Sequence, residues 1–320
     1  MSFQTIFHRV KQLLYGRTVL GGAVEQAPYT LHLPPLALNQ LNRLQLNASP
    51  YLPGSAAGMR SSLRRKPAYD FQEHRLYIPG DDVRFIDWKA SARQEHVFIK
   101  QGEHPREATV CLLLDCSASM FWGEPPKSGL ALQLAAAIGY LALSNRDRFY
   151  MQPMQPNITP FGPFEGKGQV PLLLNYLQSL SFVGGLNLVD SVNALTRRMR
   201  GGLVFVLSDL LGVDDLAQAL DLLPPPTWDV IVLQLLHPEE IKPGIKGDFQ
   251  MVDIETGRVT NYDINAKAVQ MYHQRIEQWR SEVESVCAQS GAFYTLVNTN
   301  WRLGEEAIPH LRSLNILTPL

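Results

Sequence analysis

The feature that most constrains this chain is a set of short apolar runs separated by segments of helical periodicity. TVCLLL at Thr109–Leu114 is the first run, and LVFVL at 203–207 and VIVLQLL at 230–236 follow it. A strand that is apolar at nearly every position is typical of a parallel sheet covered on both faces. Segments with helical spacing of apolar residues lie between and after these runs, at 127–146, 170–180, 188–200, 214–223 and 265–290. We therefore predict an α/β fold that is Rossmann-like, with a doubly wound and mostly parallel sheet.

The remaining segments suggest how the 320 residues are organised around this fold. Leucines at helical spacing predict a helix at 35–47, and turn-rich, charged sequence follows it. We predict four parts in chain order: an N-terminal helical extension at 1–48, a charged segment at 49–105 wrapping the core, the α/β domain at 106–300 with a hairpin insertion at about 248–262, and a C-terminal tail at 301–320.

Composition narrows the possible partners and the compartment. The formal net charge is −1, so no overall positive field favours nucleic acid. Cys111 and Cys287 lie in apolar or helical patterns, and we expect both to be core thiols in a reducing compartment, which favours the cytoplasm. No uncharged apolar run is long enough to span a bilayer. Residues 3–14 combine an apolar helical face with basic neighbours. They predict either a peripheral contact with the inner face of the membrane or a helix docked on protein.

Two of the apolar runs end in acidic and hydroxyl residues. DCSAS follows the first run, and Ser208-Asp209 follows the run at 203–207. Ligands of open α/β sheets bind beyond the carboxyl ends of the strands, where these two segments are expected to meet. Carboxylate and hydroxyl oxygens are suited to Mg²⁺. The alternative is that Asp115 and Asp209 only accept hydrogen bonds from backbone N–H groups at the strand ends.

The pattern resembles the metal-ion-dependent adhesion site of von Willebrand factor A domains, in which Asp-x-Ser-x-Ser follows the first strand. The residues that match it are Asp115, Ser117, Ser119 and Asp209. The resemblance implies bound Mg²⁺, with Mn²⁺ or Ca²⁺ as substitutes. In the middle loop, Leu186 stands where such domains have a metal-binding Thr, and Asn187 stands at the adjacent acidic position. The leucine side chain has no atom that can bind a metal, whereas Asn187 has a side-chain carbonyl oxygen to offer.

A second resemblance rests on FQEHRLYIPGDDVRFIDWKASAR at residues 71–93. This stretch resembles the signature of the bacterial family called domain of unknown function 58, which precedes a von Willebrand A-like domain. The matching residues are Phe71, Arg75, Tyr77, Gly80, Asp81, Asp82, Arg84, Ile86, Asp87 and Trp88. The length of the motif makes a chance match improbable, and the resemblance supports the same α/β fold.

The alternating charges of this segment predict a salt-bridge network with an aromatic anchor. One interpretation is a structural clamp on the core domain, and the other is a partner-binding surface. The residues assigned to either role are Arg75, Tyr77, Asp81, Asp82, Arg84, Asp87, Trp88 and Arg93. The sequence does not separate the two interpretations.

The family resemblance implies a non-catalytic protein–protein interaction module that works as an adaptor with a MoxR-type AAA+ ATPase. In that hypothesis the ion at Asp115 keeps an open coordination position, which an acidic residue of the partner fills. The alternatives are a scaffold protein whose site binds no metal, and a hydrolase using Asp115. The hydrolase is less favoured because enzymes of that kind have a second acid where this chain has Ser117. We expect His237 to be a surface or capping residue and Glu239 and Glu240 to be solvated.

Overall fold

The computed structural model describes residues 31–47, 73–78, 86–92, 96–101, 108–211, 215–242, 247–252, 259–264 and 266–320. The predicted helix at 3–14 lies outside them. The chain divides into two compact units: Leu52–Glu107 forms one, and Met1–Tyr51 with Ala108–Leu320 forms the other. This division falls close to the predicted boundaries at 49 and 106.

The described residues form twelve strands and nine α-helices. The strands are β1 (Leu44–Leu46), β2 (Glu73–Leu76), β3 (Phe98–Gln101), β4 (Thr109–Leu114), β5 (Arg148–Pro153), β6 (Phe161–Phe164), β7 (Gly202–Ser208), β8 (Trp228–Leu236), β9 (Gly247–Val252), β10 (Val259–Ile264), β11 (Phe293–Asn298) and β12 (Leu317–Pro319). The helices are α1 (Pro35–Leu41), α2 (Trp88–Ser91), α3 (Lys127–Ser144), α4 (Val170–Gln178), α5 (Leu188–Arg198), α6 (Leu216–Asp221), α7 (Pro238–Ile241), α8 (Ala266–Gln289) and α9 (Ile308–Ser313).

The larger unit is built on a six-stranded sheet with the order β11-β8-β7-β4-β5-β6. All neighbouring strands run parallel except β6, which pairs antiparallel with β5 at one edge. The predicted doubly wound, mostly parallel α/β fold is therefore confirmed. The apolar runs at 109–114 and 203–207 form the two central strands, β4 and β7.

The two faces of β4 explain why the run TVCLLL has no polar position after Thr109. Leu112 and Leu114 belong to the core that also contains residues of α3 and α4. Cys111 and Leu113 belong to the opposite core, which contains residues of α5, α6 and α8. Because successive side chains of a strand point to opposite faces, a strand between two helical layers must be apolar at both. Cys111 and Cys287 are buried and free, which confirms the prediction of core thiols.

The chain segments before and after the α/β core come together. β1 pairs antiparallel with β12, and α1 contacts the π-helical turn at Leu303–Ala307. Leu41 and Leu317 are buried in the same core as α3. The single helix predicted at 35–47 is wrong in its second half, since α1 ends at Leu41 and Leu44–Leu46 is a strand. Pairing with β12, more than 270 residues further along the chain, overrides the local helical pattern.

Two strands, β9 and β10, lie where the hairpin insertion is predicted, and they pair antiparallel with Gly247 opposite Ile264. In the smaller unit, β2 and β3 form an antiparallel pair, and α2 is capped by Asp87. The large side chains of Trp88, Ile78 and Leu76 are exposed there.

Candidate functional site

The first half of the candidate site is the loop that follows β4. The backbone N–H of Asp115 donates to the carbonyl of Leu207 in β7 (2.9 Å), which brings the two strand ends together. Asp115 Oδ1 accepts from the backbone N–H of Ser117 (2.8 Å), and Asp115 Oδ2 accepts from Ser208 Oγ (2.5 Å). The hydroxyls of Ser117 and Ser119 share a hydrogen bond of 2.8 Å. The predicted meeting of the two acidic segments is thus observed.

The second half is Asp209, which follows β7. Asp209 Oδ1 accepts from the backbone N–H of Leu211 (2.9 Å), and Asp209 Oδ2 accepts from Lys127 Nζ at 2.7 Å. The same Nζ donates to Glu240 Oε1 at 2.6 Å. Lys127 is the first residue of α3, and Glu240 lies in α7 directly after β8. The polar group at this edge of the sheet therefore contains an ammonium that the motif did not predict.

Glu240 was predicted to be solvated, and this prediction is wrong. Its exposed fraction is 1 %, and its second carboxyl oxygen accepts from the backbone N–H of His237 (2.7 Å). His237 itself accepts from the backbone N–H of Glu239, so that the two side chains form a reciprocal cap of α7. The expectation that His237 is a capping residue is confirmed, although its side chain is buried. The ring lies edge-on to Trp122, with centroids 5.2 Å apart.

Burial governs the protonation of these groups. Asp115 is fully buried, and desolvation together with the nearby charge of Asp209 raises its pKa from 3.8 to about 6. Burial also raises the pKa of Glu240, although Lys127 acts in the opposite direction. For Lys127, burial disfavours the charged form, but the attraction of Asp209 and Glu240 raises its pKa above the ordinary value. Lys127 is therefore a charged ammonium between two carboxyl groups.

The raised pKa of Asp115 predicts a pH dependence of folding stability. A carboxyl group with a higher pKa in the folded state holds its proton more tightly there than in the unfolded chain. Its contribution is therefore present at low pH, and the free energy of unfolding falls as the pH rises from about 4 to about 6. We expect Asp115→Asn to have a flatter profile than the wild type in urea unfolding across this range.

Asp147 provides the comparison for that experiment, because burial also raises its pKa to about 6 while it lies apart from the site, at the start of β5. Asp147→Asn should also make the free energy of unfolding depend less on pH, and the double variant Asp115→Asn/Asp147→Asn should reduce this dependence further. Identical slopes for Asp115→Asn and the wild type across this range would contradict the prediction.

The middle loop lies directly against the Asp115 loop. The backbone N–H of Ala118 donates to the carbonyl of Gly184 (2.9 Å), and that of Val183 donates to the carbonyl of Cys116 (3.0 Å). Asn187, assigned as a possible metal donor, caps α5 instead: its side-chain oxygen accepts from the backbone N–H of Asp190 at 2.9 Å. That hydrogen bond engages the oxygen atom that the metal hypothesis requires.

The side chains at this edge do not fit a divalent ion in their present arrangement. A Mg²⁺ ion requires several oxygen ligands that converge at close range. Both carboxyl oxygens of Asp115 accept hydrogen bonds, the two serine hydroxyls bond to each other, and an ammonium lies on Asp209. Within the described ranges, no three His, Cys, Asp or Glu side chains are grouped as metal ligands. Mg²⁺ binding stays a prediction that awaits a titration.

Only part of the charged segment at 71–93 lies within the described residues. Tyr77 continues the hairpin, and its backbone N–H donates to the carbonyl of Val97 at 2.8 Å. Asp87 Oδ1 accepts from the backbone N–H groups of Lys89 and Ala90 at 3.0 and 3.1 Å, which gives it a capping role. Trp88 is 68 % exposed. Arg75 lies in β2, but its side chain is outside the described part, as are Asp81, Asp82, Arg84 and Arg93. The salt-bridge network therefore stays a prediction.

The family described as "Protein of unknown function DUF58" matches residues 73–282, about two thirds of the sequence. The chain belongs to the DUF58 family. The match includes β4, the Asp115 loop, Lys127, Asp209 and Glu240, so that the whole polar cluster lies inside the family region of this DUF58 chain.

Curated relatives of this DUF58 chain occur in mycobacteria. Uncharacterized proteins of Mycobacterium tuberculosis and Mycobacterium bovis are each 27 % identical to it over 284 residues, covering 83 % of this chain and 89 % of theirs.

Similar solved structures include BatB from Bacteroides thetaiotaomicron (TM-score 0.39, 17 % identity, 65 % of this chain and 98 % of that one). The SpRpn10 VWA domain has a TM-score of 0.36 at 7 % identity, covering 63 % and 94 %. Manganese-loaded TRAP of Plasmodium vivax has the same TM-score at 17 % identity, covering 68 % and 77 %. Because these TM-scores and identities are low, the fold of the DUF58 chain is assigned from its own sheet topology. None of the helices in the described ranges is long and apolar enough to cross a membrane.

Proposed function

We propose that the protein is a non-catalytic interaction module that uses the carboxyl edge of its sheet to bind a protein partner. The observation that carries the proposal is the contrast between the polar cluster and the loop beside it. Asp115, Ser117 and Asp209 are at most 2 % exposed and hydrogen-bonded to neighbouring groups, whereas Val183 is 56 % exposed. The buried cluster acts as a rigid base, and the exposed loop is the surface that it supports.

The rim of this edge, defined here as residues 183–187, has the character of a small binding surface. Val183 presents an apolar side chain, and Gly184, Gly185 and Asn187 are also exposed. Two backbone hydrogen bonds fix the rim to the Asp115 loop, and Gln155 Nε2 donates to the carbonyls of Val183 and Cys116. A surface held in place before binding loses less conformational entropy when a partner docks.

As the partner we propose a MoxR-type AAA+ ATPase, for which the protein would be an adaptor in the cytoplasm, with residues 3–14 as a peripheral membrane contact. This part of the proposal derives from the family resemblance of the motif at 71–93. The exposed Trp88 in that segment supports a second contact with the same partner, since aromatic side chains are common at the centre of interfaces.

No observation favours a hydrolase acting through Asp115. Both of its carboxyl oxygens accept hydrogen bonds from the protein, and its exposed fraction is 0 %. A nucleophile must reach its substrate, and this buried carboxylate has no access to solvent.

The proposal predicts that Val183→Asp weakens capture of a AAA+ ATPase from a lysate of the source organism by about tenfold or more, because a charge would be desolvated in an apolar contact. The measurement is a quantitative pull-down with the full chain as bait. Met271→Asp is the matched control, because Met271 is 45 % exposed on α8 and lies outside the rim.

Equal recovery of the ATPase by both variants and the wild type would show that the rim is not part of the interface. If the wild type recovers no AAA+ ATPase, the proposed partner is wrong. In that case the Val183→Asp comparison still tests the rim against any other protein that the wild type captures specifically.

A further inference from the structure

Lys127 is the residue at this edge whose position is hardest to explain by local preferences. Its side chain has an exposed fraction of 0 %, and lysine is almost never fully buried unless it is paired. It is also the first residue of α3, where the helix dipole disfavours positive charge. Both effects oppose a lysine here, so that the compensating interaction must come from the tertiary structure.

That compensation comes from two carboxyl groups on two separate strand ends. Lys127 Nζ donates to Asp209 Oδ2 at 2.7 Å and to Glu240 Oε1 at 2.6 Å, which are short, charge-assisted hydrogen bonds. Asp209 follows β7, and Glu240 follows β8, the next strand of the sheet. One ammonium therefore ties α3 to the ends of two neighbouring parallel strands.

We infer that Lys127 supplies the positive charge that a divalent cation would otherwise supply to Asp209, so that this edge of the sheet is independent of metal. An ammonium fits the three requirements of the position: it is cationic, it is small, and it donates hydrogen bonds to more than one carboxylate. The inference does not depend on the identity of the partner or on the proposed interaction surface.

The groups around Lys127 are arranged as expected if its ammonium is the permanent cation of this site. A divalent ion ligated by Asp209 would lie close to an ammonium that already bonds the same carboxylate, and the two positive charges would repel strongly in a buried environment. The polar groups on the Asp115 side are hydrogen-bonded to one another, and Leu186 has no side-chain oxygen to offer at the middle loop. An arrangement without metal therefore satisfies the polar groups of the site.

The test is a titration of the full-length protein with Mn²⁺, with free Mn²⁺ followed by electron paramagnetic resonance and thermal unfolding followed in parallel. We expect the wild type to bind no Mn²⁺ at this site and to keep its unfolding temperature. Lys127→Gln leaves Asp209 and Glu240 without a cation. This variant is expected to bind one Mn²⁺ and to be stabilised by about 2–5 °C at saturation.

Lys127→Gln/Glu240→Gln is the second variant, because two neutral amides can replace the buried ion pair if the single variant does not fold. It retains Asp115 and Asp209 without an ammonium, and it is also expected to bind Mn²⁺. Lys267→Gln, an exposed lysine of α8, is the matched control and should behave as the wild type.

Two outcomes would overturn the inference. The first is stoichiometric Mn²⁺ binding by the wild type that Asp209→Asn abolishes, which would show a metal site despite Lys127. The second is a folded Lys127 variant, single or double, that binds no Mn²⁺. That result would mean that Lys127 does not substitute for a cation.

Discussion

Replacement of Lys127 by methionine is expected to lower the free energy of unfolding by about 3–5 kcal/mol. Methionine fills a similar volume, so that the main change is the loss of charge. Asp209 and Glu240 would then be buried beside each other without a cation, and both have exposed fractions of at most 1 %. Unpaired buried charge is among the few causes of very large destabilisation by a single substitution.

Urea unfolding of the full chain, followed by fluorescence and circular dichroism, measures this effect. Lys267→Met is the control, since Lys267 is exposed on α8 and its loss should change stability by less than about 0.5 kcal/mol. The double variant Lys127→Met/Glu240→Gln should recover part of the loss because only one buried carboxylate then lacks a partner. If Lys127→Met is as stable as Lys267→Met, the ion pair contributes nothing to folding.

Phe205→Ala is the second substitution with a large expected effect, also about 3–5 kcal/mol. Phe205 lies in β7, and its register partners are Leu112 in β4 and Ile231 in β8. All three side chains are at most 1 % exposed. Alanine at position 205 would leave a cavity, and the neighbouring strands would prevent the surrounding side chains from filling it. The loss would be a large part of the stability of a typical domain.

The matched control for this cavity is Phe164→Ala. Phe164 is half-buried on β6, which lies next to β5 at one edge of the six-stranded sheet. Because solvent and edge residues can adjust there, we expect a clearly smaller loss in the same urea experiment. Equal losses for the two variants would contradict the central position of β7 in the core.

The local sequence was sufficient to predict a strand wherever that strand is buried on both faces, because such a strand must be apolar at nearly every position. The run at Thr109–Leu114 must be apolar throughout because it separates two cores, and this made β4 recognisable. The same argument identified β7 and β8, and the rule for open α/β sheets brought Asp115 and Ser208 to one edge. Short strands could not be found in this way. FGPF forms β6, yet glycine and proline at its centre are typical of turns.

The sequence determined which residues form the motif DCSAS and that it follows a buried strand, but not whether its side chains are buried or charged. The sequence established an α/β chain with acidic strand ends at Asp115 and Asp209. Only the tertiary structure decided that these groups are buried and that Lys127 and Glu240 complete the cluster. Lys127 is separated from Asp209 by 82 residues and from Glu240 by 113. The charge state and accessibility of a side chain depend on the groups that folding places around it, and a local motif does not contain them.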